Sequence, residues 1–153
     1  MSESSTPWLT ELEMQVWRRW LRAQTEVPAE LGRALKEDSE LSMQDYETLV
    51  HLTEAEDGRL RISVLADTMH WERSRLSHHL RRMVGRGLIA KEECAFDGRG
   101  AFVSITEQGR AALAAAAPGH LAAVRRVFFD GATDTELAAL DTFLARVLER
   151  TGD

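Results

Sequence analysis

The sequence predicts a mainly helical fold of the α+β class, in which helices at both ends of the chain enclose a helix-turn-helix and a small β-hairpin. Three observations carry this. The segment from Arg61 to Leu88 reads as two helices joined by a very short turn. Directly after it, the strand-like runs IAKEEC and AFVSIT flank the glycine-rich turn Phe96-Asp97-Gly98-Arg99-Gly100. Before and after this unit, capping sequences open long segments with helical apolar spacing.

Thr10-Glu11-Leu12-Glu13 has capping-box spacing, and Leu12, Val16, Trp20, Leu31 and Leu35 then recur at roughly helical intervals. Pro28 removes a backbone donor and crowds the turn before it, so a kink or break is expected near Gln24 to Val27. A second helix should begin after Ser42, with Asp45 three residues on, and bury Tyr46, Leu49, Val50 and Leu52. Glu56-Asp57-Gly58 should end it. Ser63 is placed to cap a short helix carrying Leu65, Ala66 and Met69. A turn at His70-Trp71 leads to a helix from about Glu72 to Arg86, stopped by Gly87. Beyond the hairpin, Glu107 to Phe129 is alanine-rich and helical, with a bend or break expected at Pro118-Gly119. Thr133-Asp134-Thr135-Glu136 opens a final amphipathic helix through Leu137, Leu140, Leu144, Val147 and Leu148. No repeat and no long linker divides the 153 residues, so one domain over 1–153 is expected.

Charge is unevenly laid out. The chain carries 25 Asp+Glu against 19 Lys+Arg, a net of −6. Between Arg73 and Lys91, however, stand Arg73, Arg75, Arg81, Arg82, Arg86 and Lys91 without a single carboxylate. From Arg59 to Arg110 ten basic and six acidic residues give +4, and the remainder, nine against nineteen, gives −10. A basic block on an acidic body orients a protein on a polyanion. No run of 18 apolar residues suggests a membrane span, and the start MSESSTPW lacks the features of a secretory signal. The single cysteine excludes an internal disulfide and a multi-cysteine metal site, which makes the cytoplasm the expected compartment.

On a helical wheel, Leu76, Leu80, Met83 and Val84 form one apolar stripe of the basic helix. Ser74, His78, Arg81 and Gly85 fall opposite, flanked by Arg75 and Arg82. Arginine bonds guanine O6 and N7 bidentately, and serine and histidine reach base edges or phosphates, so this face suits a major groove of double-stranded DNA. A basic helix alone is as readily a solvated surface; the short turn before it, the hairpin after it and the missing carboxylates favour DNA. Arg99 at the hairpin tip could enter a minor groove or sit on phosphate. Asp97 would orient Arg99 or another basic side chain through a charge-assisted bond, or simply build the turn with Gly98.

With these residues in view, the chain resembles the winged helix-turn-helix of MarR-type transcriptional regulators. The likeness rests on LADTMHWERSRLSHHLRRMVGRGLIAKEE, on DGRGAFVSIT, and on the wing Asp97-Gly98-Arg99 followed by Ile105-Thr106 and Glu107-Gln108-Gly109. The chain departs from the pattern at His70, where the family often has glycine, and at Glu72, where a Ser, Thr or Asp cap is usual. The resemblance implies a winged helix-turn-helix at 42–106 and dimerisation helices at 8–36 and 107–150. It implies a homodimer that reads an inverted-repeat operator, with base contacts from Ser74, Arg75, His78, Arg81 and Arg82 and groove or phosphate contacts from Arg73 and Arg99. Trp8, Trp17, Trp20, Leu121, Val124, Val127, Phe128, Phe129, Leu140 and Phe143 offer more apolar surface than a small winged domain needs, in keeping with a dimer. Repression relieved by a small aromatic or phenolic effector is also implied, with Trp17, Arg18, Trp20, Tyr46 and His51 as candidate pocket residues.

Other chemistry finds little footing. His78 and His79 are adjacent on one helix and diverge, a poor chelating pair, and no metal or other cofactor is expected. Cys94 would be a redox switch only if exposed beside a cation, and is otherwise a small hydrophobe. No phosphate-cradling glycine loop, nucleophile elbow or paired carboxylates point to an enzyme. The competing reading is a winged-helix module that binds a protein partner instead of DNA.

Overall fold

A computed structural model describes residues 8–93 and 100–152. Helix α1 spans Glu11–Asp38 and opens on a capping box in which Thr10 and Glu13 satisfy each other's backbone amides. It runs through Pro28 without the break expected near Gln24 to Val27. Both Pro28 and Gln24 are exposed, so the carbonyl that loses its partner faces water and the helix continues. Helix α2, Met43–Glu54, starts on a second box formed by Ser42 and Asp45. It buries Tyr46, Leu49 and Leu52 as anticipated, while Val50 stays half-buried. A 3-10 turn at Glu56–Gly58 ends it, with Asp57 and Gly58 both at positive φ.

Strand β1, Arg59–Arg61, had no legible signal: three residues with one apolar side chain show no period. It forms because β3, Ala101–Ile105, offers a free edge; β1 pairs with it on one side and β2, Ile89–Glu93, on the other, all antiparallel in the order β1-β3-β2. Pairing through Arg61 also shifts the start of α3, Ile62–Thr68. The strand runs straight into this helix, so Ser63 lies inside it and does not cap it; Arg61 stands at the cap position with no side-chain bond. Helix α4 covers Arg73–Gly85, and Gly87, at φ +73°, turns the chain into β2.

Helix α5, Glu107–Val124, passes through Pro118 unbroken, again with the orphaned acceptor, Ala114, on an exposed face. The irregularity expected there appears instead as a π-helical turn at Arg125–Phe129. Helix α6, Asp134–Thr151, opens on the expected Thr133–Glu136 box.

The core lies beneath the central unit. Leu49 and Leu52 of α2, Leu65 of α3, Leu76, Leu80 and Met83 of α4, and Leu88, Ile89, Val103 and Ile105 around the sheet are buried together, and Leu35 of α1 and Ala116 of α5 join them. The flanking helices are otherwise open: Trp17 is 50% exposed, Leu121 62% and Leu148 66%, and α6 buries none of its residues.

One junction locks α5 to the end of α4. The Thr106 hydroxyl donates to the Gly87 carbonyl (2.6 Å) and its oxygen accepts from the Gly109 amide (3.0 Å), while the Gln108 side chain donates to the Arg86 carbonyl (3.1 Å). Gly109 is buried so tightly that a Cβ would overlap the Leu88 carbonyl oxygen. Gly109→Ala should therefore lower stability by about 2–3 kcal/mol, because neither backbone segment can yield. A shift of the urea midpoint at unchanged slope checks this.

Candidate nucleic-acid interface

Helix α4 is seated by Leu76, Leu80 and Met83, all buried, which fixes the face it turns outward. The fourth expected member of the stripe, Val84, is exposed, and His79 takes its place inside at 4% exposure. The reason is rotational: the buried stripe centres between positions 76, 79, 80 and 83, and a residue one turn after Leu80 swings out of it. Arg73, Ser74, Arg75, His78, Arg81 and Arg82 are all exposed. Adjacent in sequence, His78 and His79 thus face opposite environments.

The turn entering α4 is built by His70, whose φ of +52° puts a side chain where glycine would be relaxed. The His70 amide donates to the Asp67 carbonyl (3.2 Å) and that of Trp71 to Ala66 (2.9 Å). Glu72 stands at the cap position of α4 without making a side-chain cap bond. Arg73 and Ser74 line a shallow hollow of about 780 Å³ beside this turn, together with His70 and Trp71.

The six exposed residues do not form one uniform surface. Arg75, His78 and Arg82 lie on a flank of α4 that lines a cleft of about 700 Å³ against the α1–α2 junction, where Lys36, Ser42 and Gln44 face them. Arg75 is held there by Trp71, its guanidinium carbon 4.0 Å from the ring centroid. Ser74 and Arg81 lie outside that lining. On the sheet, Arg59 and Arg61 stack on Phe102 at 4.1 and 4.7 Å, and Arg59 also pairs with Glu92 at 3.0 Å. That pair neutralises a carboxylate near the wing.

Behind the cleft is a buried polar cluster. Asp45 accepts from Arg86 Nη1 at 2.6 Å and from the Ser42 amide at 2.9 Å, and its second oxygen lies 3.7 Å from His79 Nε2. The Thr48 hydroxyl donates to the Gln44 carbonyl (2.8 Å), leaving its oxygen to accept from His79 Nε2 at 3.4 Å. Trp71 meets the His79 ring edge-on at 5.4 Å. Burial alone would raise the Asp45 carboxyl, but Arg86 together with the Ser42 amide and hydroxyl outweighs it and holds it below the ordinary 3.8. Burial depresses His79 below its usual 6.5, and the neighbouring Asp45 only partly opposes this.

The remaining expected site residues are scattered. Trp17, Arg18 and Trp20 are exposed on the N-terminal half of α1, His51 is half-buried in α2, and Tyr46 is buried against His120 at 4.3 Å. None of the five lines either cleft. Cys94, Asp97 and Arg99 lie outside the described residues. Trp71 and the Asp45–Arg86 pair were not picked out by sequence. Asp45 is visible there as a helix cap, but its partner is 41 residues away and leaves no local trace.

Comparison with known proteins agrees with this architecture. A family described as transcriptional regulator SarA/Rot matches residues 30–115. The chain is 38% identical to AbsC, a MarR family transcriptional regulator from Streptomyces coelicolor, over 95% of this chain and 98% of that one, with a TM-score of 0.85. It is 36% identical to Sco3205, a MarR family regulator from the same organism solved in complex with DNA, over 96% and 92%, with a TM-score of 0.86. Sco5413, also of that family and organism, shares 24% identity over 94% and 98% at a TM-score of 0.79. A search of curated proteins gives no match.

The buried cluster makes the fold acid-sensitive. A histidine whose folded value is depressed binds its proton more readily when unfolded, so its contribution is complete above 6.5 and is lost as the pH falls below that. His120, lowered by burial and with Nδ1 unpartnered, acts in the same direction. Asp45 adds a further loss as the pH drops below 3.8. Thermal melts followed by circular dichroism should show the midpoint falling between about pH 7 and pH 5, with His79→Gln flattening that slope.

Proposed function

The chain belongs to the MarR family of transcriptional regulators, and from that premise we propose that it binds an inverted-repeat operator in double-stranded DNA as a homodimer and represses transcription there. The observation that carries this reading is the exposed face of α4, which presents Arg73, Ser74, Arg75, His78, Arg81 and Arg82 with no carboxylate among them. Ser74 and Arg81 lie outside the cleft lining and take the base-edge contacts, joined by His78. Arg75 and Arg82, on the flank, reach bases or the adjoining backbone, and Arg73 a phosphate. Arg99 supplies the wing contact, with Asp97 to orient it. DNA bound to Sco3205, a relative alike over nearly its full length, supports the assignment. Operator binding places the protein in the cytoplasm, where the DNA is.

The dimer is supported by the unpaid apolar surface of the flanking helices. An 18-residue α6 that buries no side chain needs a partner, and a second copy brings the matching Trp17, Trp20, Leu121, Phe128, Phe143 and Leu148. The winged helix-turn-helix at 42–106 then works as the reading unit and the helices at 8–36 and 107–150 as the scaffold. Two α4 helices held by that scaffold address successive major grooves, roughly 34–36 Å apart. The effector, a small aromatic or phenolic anion, fits the cleft beside α4, which none of Trp17, Arg18, Trp20, Tyr46 and His51 lines. Lys36, Arg82 and Arg86 offer positive charge there, joined by Arg75 on the Trp71 ring.

Fluorescence anisotropy with operator and scrambled duplexes at two salt concentrations tests the DNA reading. Arg81→Ala should weaken operator binding by about 1–3 kcal/mol while leaving scrambled DNA much less affected. Arg99→Ala should weaken both and reduce the salt slope by about one. Absence of any binding at low salt would instead favour the protein-interaction module. Phe143→Glu in α6 should shift the mass measured by light scattering from dimer to monomer or to aggregate, since it buries a charge in the proposed interface.

A further inference from the structure

We propose that Asp45 is a positioning residue for the DNA-reading helix, one buried carboxylate in the first turn of α2 that sets the seating of α4 through Arg86 and His79. The inference rests on the DNA-binding reading for its consequence, and on side-chain geometry for its substance.

Asp45 is 3% exposed and stands at the N-terminus of α2, where the Ser42 box fixes its rotamer. Its Oδ2 takes a charge-assisted bond from Arg86 Nη1 at 2.6 Å. The other arm of the same guanidinium, Nη2, donates to the Glu40 carbonyl, also at 2.6 Å. Arg86 therefore forks across the α1–α2 junction from the residue that caps the C-terminal end of α4. The second carboxylate oxygen, 3.7 Å from His79 Nε2, faces the middle of the helix. That separation is too long for a hydrogen bond, and with His79 held neutral by burial it is a polar packing contact between the carboxylate and the ring. His79 in turn meets Trp71, and Trp71 holds Arg75. A single carboxylate is thus linked to the C-terminal end, the centre and, through Trp71, to Arg75 in the first turn of α4.

Apolar packing by Leu76, Leu80 and Met83 does not do this job by itself. It is non-directional and selects which face of α4 is buried and how deep, whereas the directional fork of Arg86 onto Asp45 and the Glu40 carbonyl limits the remaining small rotations and slide along the junction. A bundle of side chains that reads base edges tolerates little error in either. The ordinary account of the pair, a stabilising contact and no more, predicts equal loss of specific and nonspecific binding as the fold weakens.

Asp45→Asn keeps the shape and the Ser42 bond and removes the charge. Amide hydrogen exchange on the DNA-free protein should accelerate across residues 73–86 while α1 and α6 keep their wild-type rates. Operator affinity should fall about tenfold with scrambled-DNA affinity at low salt changed less than about twofold. Arg86→Lys, which keeps charge but not the fork, should fall between, and Asp45→Asn combined with Arg86→Gln should cost little more than either alone. Arg86 is partly exposed, so Arg86→Gln also serves if Asp45→Asn does not fold. Unchanged exchange in α4, or equal loss on operator and scrambled DNA, would overturn the proposal. If α4 loosens but the wild-type protein binds no DNA at all, the positioning stands and the DNA reading fails.

Discussion

Leu76, Leu80 and Met83 leave water almost completely, and each such burial contributes about 1.5–3 kcal/mol. Because they stand on one stripe of a 13-residue helix, that burial also decides which side chains stay outside. The hairpin, the short α3 and the junction at Thr106–Gly109 all hold the pocket into which this stripe fits. The reading face of α4 is therefore a by-product of core packing, and every change in the core beneath it is a change in how the arginines are aimed.

The same economy explains the two kinds of surface. The central unit holds nearly all of the core, whereas α1, α5 and α6 contribute only Leu35, Gly109, Ala116 and Ala123 to the buried residues. Trp17, Trp20, Leu121, Phe143 and Leu148 on these helices stay largely exposed. In the proposed dimer this apolar surface meets a second copy, and the spacing of the two reading helices follows from the flanking helices.

Charge layout links reading and regulation. Arg75, His78 and Arg82 border both the outward face of α4 and the cleft behind it, while Arg86 joins the cleft to the buried Asp45. An anion in the cleft and a phosphate outside would draw on neighbouring guanidinium groups. Regulation in this scheme needs no distant relay, only an effector that binds the DNA-free form better than the DNA-bound form.

Local chemistry made much of this legible in the sequence. The three capping boxes at Thr10, Ser42 and Thr133 stand where their spacing puts them, and α4, the hairpin strands and the glycine stop at Gly87 follow from residue pattern and turn chemistry. The MarR resemblance rested on motifs of the same local kind. What local pattern misjudged was decided by neighbours in space. Pro28 and Pro118 do not break their helices, because the lost bonds face solvent. Ser63 caps nothing, because β1 is recruited by the edge of β3 and runs into α3. His79 is buried and Val84 is not, because the buried stripe of α4 centres between positions 76, 79, 80 and 83, with His79 against Thr48 and Trp71. The Asp45–Arg86 pair joins residues 41 apart and is invisible to any short window. Sequence alone determined which segments form the helices and the two hairpin strands, since capping and periodicity act over a few residues; tertiary structure decided that β1 forms, which faces are buried and which charges meet, since edge pairing, burial and ion pairing depend on groups brought together only by the fold.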